Sequence, residues 1–206
     1  MKEKFALDRS EDNYAWSFNG VPEENSLFLK YGEIKVEIPA INVVFRHALE
    51  LLGEEVYGRF GAEFPIRFNF LDTMDGGNLS LQVHPTIDYV QQTFGAHYTQ
   101  DESYYVMEAK EDAVVYLGVK EAVDKKGLVS DLKRANETGE SFHNEKYINQ
   151  FPAKKHDHFL IPAGTIHSQG KNSVVLEISS TPNYYILLNY GIGEDWAWMV
   201  YQDLFI

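Results

Sequence analysis

Gln82 and His84 in Leu-Ser-Leu-Gln-Val-His-Pro, Glu102 in Gln-Asp-Glu-Ser-Tyr-Tyr and His167 in Ile-Pro-Ala-Gly-Thr-Ile-His-Ser are residues suited to hold a divalent cation. Two neutral imidazoles, one carboxylate and one amide oxygen leave such an ion with net positive charge and room for a water or substrate oxygen. An open set of this kind is catalytic in type, because structural zinc is normally closed by four strong ligands. Zinc, one per chain, is the expected ion; a donor set without cysteine also suits manganese, iron or cobalt. Either motif alone fits an ordinary strand end or turn, and only the combination argues for a metal.

The elements that must position these residues can be read around them. Gln82 and His84 lie two apart in an apolar-alternating run, so a strand would turn both, with Ser80, to one face. Pro85 ends that strand, and 86–94 has the pattern of a short helix that folds the chain back. Glu102 then opens a strand rich in Tyr and Val. His167 follows Pro162 and Gly164, a turn signal between strands expected at 158–161 and 174–179.

The chain resembles class I mannose-6-phosphate isomerases at this point, whose zinc is held by a Gln-x-His pair, a Glu shortly after and a later His. The resemblance runs from about Phe64 through Leu176-Glu177-Ile178-Ser179 and is sharpest in Leu-Ser-Leu-Gln-Val-His-Pro and Pro-Ala-Gly-Thr-Ile-His. It implies Gln82, His84, Glu102 and His167 as metal ligands and a mainly β, cupin-type antiparallel sandwich or jelly roll. The many short alternating runs separated by Gly, Pro and Asn independently suggest an antiparallel β architecture. Helical patches at 43–52 and 121–135 would be covers or insertions.

The family's reaction interconverts an aldose phosphate and a ketose phosphate, here by implication mannose 6-phosphate and fructose 6-phosphate. Moving a proton between C1 and C2 through an enediol builds negative charge on sugar oxygens, which a Lewis-acid cation stabilises while a general base moves the proton. Glu177, ten residues after His167, is the candidate base by the same resemblance. Ser80, Arg67, Lys154 and Lys155 are the candidate substrate contacts: Ser80 shares the Gln-x-His face, and the others carry positive charge near the motifs.

Two departures stand out. Family members often carry a Lys just before the ligand Glu and another in the strand before Gln-x-His, but Gln100 and Asn69 occupy those positions. The segment 186–206 also lacks the family's basic substrate contact. Back-translated and shifted by one base, it reads as a family-like continuation, so the expectation is one domain over 1–206 whose tail at 186–206 is truncated and frame-shifted.

With 206 residues, 44% of them hydrophobic and 14% aromatic, the chain can bury one sizeable core. A formal net charge of −13 and a pI near 4.9 argue against nucleic acid or an anionic membrane as partners, whereas a phosphorylated sugar can still be drawn to a local cation. There is no cysteine, hence no disulfide and no thiolate ligand. The N-terminus lacks a signal-peptide core and no run is long enough to span a bilayer, so a cytoplasmic address is expected. Three functions fit: a zinc-dependent sugar-phosphate isomerase, a catalytically weak metal-binding module for sugars or sugar phosphates, and a cupin oxygenase or epimerase.

Overall fold

The computed structural model describes residues 13–19 and 28–188. Twelve strands and five helices follow in order among them: β1 (Tyr14–Asn19), β2 (Phe28–Tyr31), β3 (Ile34–Pro39), α1 (Ala40–Arg46), α2 (Ala48–Phe60), β4 (Ile66–Asp72), β5 (Gln82–Val83), α3 (Ile87–Phe94), β6 (Glu102–Ala109), β7 (Val114–Val119), α4 (Lys125–Thr138), α5 (Asn144–Tyr147), β8 (Ile148–Pro152), β9 (His158–Ile161), β10 (His167–Gln169), β11 (Ser173–Ser180) and β12 (Ile186–Leu187). Two five-stranded antiparallel sheets result, ordered β1-β4-β11-β6-β9 and β12-β5-β10-β7-β8, with β2-β3 as a separate hairpin. The chain has the expected mainly β, cupin-type sandwich.

Period-two alternation decides what the sandwich encloses. In β11 every second residue from Ser173 is buried, and in β6 the buried set begins Glu102, Tyr104, Val106. Between the sheets, Val106, Ala113, Val115, Ala153, Ile161 and Val175 pack with Tyr104 into an apolar core that Leu71 and Leu117 extend. The rest of this interior is polar. Arg67 and Asn69 on β4, Glu177 and Ser179 on β11, Glu102 on β6 and His167 on β10 are all at least nine-tenths buried.

A second core lies on the other face of the β5-β10-β7 sheet. Leu81, Val83, Tyr116, Ile148, Ile166 and Ile186 meet Leu128 and Leu132 of α4 there. The helical spacing of Leu128, Leu132 and Ala135 gives α4 its buried stripe, and the Asp124 carboxylate caps its start by accepting from the Gly127 N–H at 3.0 Å. The expected helix at 121–135 therefore begins four residues later, after the cap. The helix expected at 43–52 is two helices, broken at His47, with Gly53 at φ 81 interrupting the second.

Of the tail expected to be frame-shifted, residues 189–206 lie outside the described residues. Ile186 and Leu187 pair with Val83 and Gln82, the Leu188 N–H donates to the Leu81 carbonyl at 2.8 Å, and Ile186 and Leu188 are buried in the second core. Among the described residues, no helix is long and apolar enough to cross a membrane.

Candidate metal centre

The antiparallel register brings the sequence-distant residues together. His167 opens β10 opposite Gln82 of β5, and β6 pairs with β9 so that Glu102 faces Ile161, just before the turn that leads to His167. That turn is fixed from several sides: the Gly164 N–H donates to the His84 carbonyl at 2.7 Å, the Thr165 N–H to Pro162 at 3.1 Å, and the Ala163 N–H to Asp101 Oδ1 at 3.0 Å. Gly164 stands at φ +87, a conformation that L side chains rarely adopt.

His84, Glu102 and His167 each direct one ligand atom to a common point, these atoms lying within 4.8 Å of one another. The two imidazoles are set by what their other nitrogens do. His84 Nδ1 lies 2.9 Å from the Tyr184 carbonyl and His167 Nδ1 lies 2.9 Å from the Thr165 carbonyl. A carbonyl only accepts, so both Nδ1 atoms carry the proton and both Nε2 lone pairs face the centre. Burial, reinforced by the neighbouring His84, holds the His167 pKa below the usual histidine value against the opposing pull of Glu102.

The carboxylate completes an arrangement that calls for a cation. Glu102 Oε2 is 2.7 Å from His84 Nε2, and Glu102 Oε1 is 3.6 Å from His167 Nε2 with no hydrogen-bond partner. Lone pairs on neutral nitrogens and a carboxylate at these distances repel unless positive charge lies among them. Burial tends to raise the Glu102 pKa, but a proton on His84 or His167, standing where a cation would, outweighs it through a hydrogen bond and positive charge and holds the carboxyl below its ordinary value. The Gln82 amide reaches the same point, its nitrogen 3.1 Å from His167 Nε2. A half-turn of that amide presents the oxygen instead. Two imidazole nitrogens, a carboxylate and an amide oxygen fit zinc.

Beside this cluster lies a second carboxyl. Glu177 Oε1 accepts from Asn69 Nδ2 at 2.7 Å and from the Ser179 hydroxyl at 3.2 Å, and Arg67 Nη1 lies 3.9 Å away. Burial and the charge of Glu102 push the Glu177 pKa up to about 8 in spite of Arg67, Asn69 and Ser179. Tyr104 sits between the two acids in this electrostatic sense. Burial, then the charges of Glu102 and Glu177, hold its phenol well above the usual tyrosine pKa, so it remains a donor.

The candidate substrate residues divide. Arg67 is buried beside Glu177, and Ser80 is half-buried two residues before Gln82. Lys154 and Lys155 are exposed in the turn between β8 and β9, where Lys155 pairs with Glu108 at 3.0 Å. Glu108 is six residues along β6 from Glu102, roughly 20 Å at the rise of a strand. The structure thus places both lysines at the far end of the sandwich, because β9 runs from them toward the site rather than beside it. Two residues that sequence reasoning noted only as departures do join the site. Gln100 Nε2 donates to Glu102 Oε2 at 3.1 Å, and Asn69 binds Glu177. Their spacing was the available signal, since Gln100 lies two residues from Glu102 and Asn69 two from Arg67.

No family model matches the chain. Among curated proteins, it is 31% identical over 119 residues to a probable mannose-6-phosphate isomerase of Bacillus subtilis, covering 57% of this chain and 34% of that relative. It is 33% identical over 133 residues to a mannose-6-phosphate isomerase of Streptococcus mutans, covering 64% and 39%. The chain thus matches little more than a third of the length of these relatives. Among solved structures, a mannose 6-phosphate isomerase from Bacillus subtilis superposes with a TM-score of 0.64 at 22% identity, over 91% of this chain and 55% of that one. A zinc-bound mannose 6-phosphate isomerase gives 0.61 at 15% identity, over 91% and 65%. The sandwich of this chain is therefore similar in fold to that of solved mannose 6-phosphate isomerases.

Proposed function

We propose that this chain is a zinc-dependent aldose–ketose isomerase of sugar phosphates, acting on mannose 6-phosphate and fructose 6-phosphate in the cytoplasm. The observation that carries the reading is the convergence of His84 Nε2, His167 Nε2, the Glu102 carboxylate and the Gln82 amide beside a second buried carboxyl, Glu177. Relatives of that name support it. When bound, the cation supplies Lewis acidity that polarises a sugar oxygen. Glu177 is the group for moving a proton between C1 and C2. Its ionised form takes the proton from one carbon and its protonated form returns it to the other, so a pKa near neutrality serves both halves. Arg67, bonded to Ser179 at 3.3 Å and beside Glu177, favours the ionised form.

The distance of Lys154 and Lys155 from the centre favours a second reading, a sugar- or sugar-phosphate-binding module with weak turnover. Without a cation placed for the phosphate, the rate would fall on the order of a hundredfold or more. A coupled assay on mannose 6-phosphate with the zinc-loaded protein separates the two. Turnover that disappears on chelation and in Glu177→Gln supports the isomerase. Retained zinc and sugar-phosphate binding without turnover supports the module, and turnover that survives chelation refutes the metal-dependent mechanism.

A further inference from the structure

Asp101 lies one residue before the ligand Glu102, yet both its carboxylate oxygens are engaged outside the metal cluster. Oδ1 accepts from the Ala163 N–H at 3.0 Å and Oδ2 from the Tyr98 hydroxyl at 2.8 Å. Its backbone is fixed as well. The Asp101 N–H donates to the Ser180 hydroxyl at 2.8 Å, and its carbonyl accepts from the Ser180 N–H at 2.9 Å, at the end of β11.

The turn that Asp101 grips is the one that carries the last ligand. Successive N–H groups of that turn reach two ligand segments, Ala163 to Asp101 beside Glu102 and Gly164 to the His84 carbonyl at 2.7 Å. The Thr165 carbonyl in the same turn lies 2.9 Å from His167 Nδ1. The positions of three ligands are thus referred to one another at a single short turn. Of these bonds, the one from Ala163 ends on a side chain outside the ligand set, so it can be removed without altering a ligand. Asp101 is in turn held from α2. Arg59 Cζ lies 4.5 Å from the centroid of the Tyr98 ring, and its Nη2 donates to the Tyr98 hydroxyl oxygen at 2.5 Å, while Phe60 meets the same ring edge-on at 4.9 Å. The donors run one way, guanidinium to phenol to carboxylate, and bonds in such a chain strengthen one another.

We infer that Asp101, backed by Tyr98 and Arg59, is a positioning residue for the metal centre, fixing the turn at 162–165 and with it the aim of His167 relative to Glu102 and His84. This rests on the metal-binding reading of the site above. Two other effects of Asp101 have to be separated from positioning: a negative charge near a cation favours binding by itself, and a loss of fold stability lowers apparent affinity.

The test is zinc affinity by competition with a chromophoric chelator, together with the visible spectrum of the cobalt(II)-loaded protein, which reports ligand geometry. Asp101→Ala should weaken zinc about tenfold or more, the scale seen when a residue that orients a metal ligand is lost, and should shift the cobalt(II) bands. Asp101→Asn keeps an oxygen for the Ala163 N–H and should stay within about threefold of the parent, with the parent's bands. Asp124→Ala removes the cap of α4 and should leave affinity and bands unchanged. The inference is overturned if Asp101→Ala binds zinc within about threefold of the parent. It is also overturned if Asp101→Asn loses as much as Asp101→Ala, which would make charge the cause, or if Asp124→Ala loses as much, which would make stability the cause. Should Asp101→Ala fail to fold, Tyr98→Phe decides: a loss of about twofold or more upholds the inference, and a smaller one overturns it. A parent that binds no zinc sinks the metal-binding reading and this inference with it, whereas a parent that binds zinc no better than Asp101→Ala sinks this inference alone.

Discussion

At the scale of single residues, the centre is defined by the acceptors of His84, Glu102 and His167, which converge with no donor among the three. His84→Ala and His167→Ala should each remove most bound zinc, read by elemental analysis after dialysis, while leaving a folded β domain by circular dichroism; full occupancy in either variant would sink the assignment. Glu177 adds a pH signature. Its folded pKa of about 8 stands above the ordinary carboxyl value of 4.5 because burial and Glu102 disfavour its charge. Below the unfolded value it is protonated in both states and costs nothing. As pH rises toward 8 the unfolded chain gives up this proton first, so the native state loses stability across that window. Glu177→Gln cannot ionise. In the metal-free protein it should gain several kcal/mol over the parent at pH 8.5, at about 1.4 kcal/mol per pKa unit of the upward shift, and almost nothing at pH 4.5. Equal melting curves at pH 8.5 would show that Glu177 ionises freely. Bound zinc should narrow the gap, because a cation beside Glu102 offsets the charge that opposes Glu177.

At the scale of elements, the turn from β9 to β10 aims the last ligand. Gly164 reaches φ +87, its N–H holds the His84 carbonyl, and a Cβ there would lie 3.3 Å from Thr86 Cγ2. Gly164→Ala should cost about 1–2 kcal/mol of backbone strain and weaken zinc binding severalfold, because His84 and His167 are set by the same turn; unchanged zinc affinity would separate the turn from the site. The Pro-Ala-Gly signal before His167 and the strands at 158–161 and 174–179 were legible in the chain because turn chemistry and period two are local. The strand at Gln82 was legible only as a face. It keeps two residues, and Leu81 and Val83 turn outward into the α4 core, which no local pattern could place. Lys154 and Lys155 are near His167 in sequence yet lie at the other end of β9 from Ile161, since which end of an antiparallel pair meets the site is a matter of register. Gln100 and Asn69 were visible in the sequence, but only the partners of their amides identify them as part of the site.

At the scale of the whole molecule, the sheet that carries Gln82 and His167 is packed on both faces, by the sandwich interior on one side and by α4 on the other. Ligation and buttressing are thus separable contributions to one fold. Leu128 is 1% exposed and belongs to the outer core, which holds none of His84, Glu102 and His167. Leu128→Ala should therefore cost about 2–5 kcal/mol through lost burial and the cavity left behind, lowering Tm without altering the cluster. Zinc should act on the other side of the same sheet. At a hundredfold excess over its dissociation constant it adds about 2.7 kcal/mol of stability to any chain whose native state alone binds it. For a chain of this size that is a rise in Tm of roughly 5–11 °C, reversed by a chelator. If the two faces are independent, the zinc-induced gain should be the same in Leu128→Ala as in the parent within about 0.5 kcal/mol, since distant sites without shared partners add. A gain that collapses in Leu128→Ala would show instead that α4 holds β5 and β10 in the register on which ligation depends, making the outer core part of the metal site.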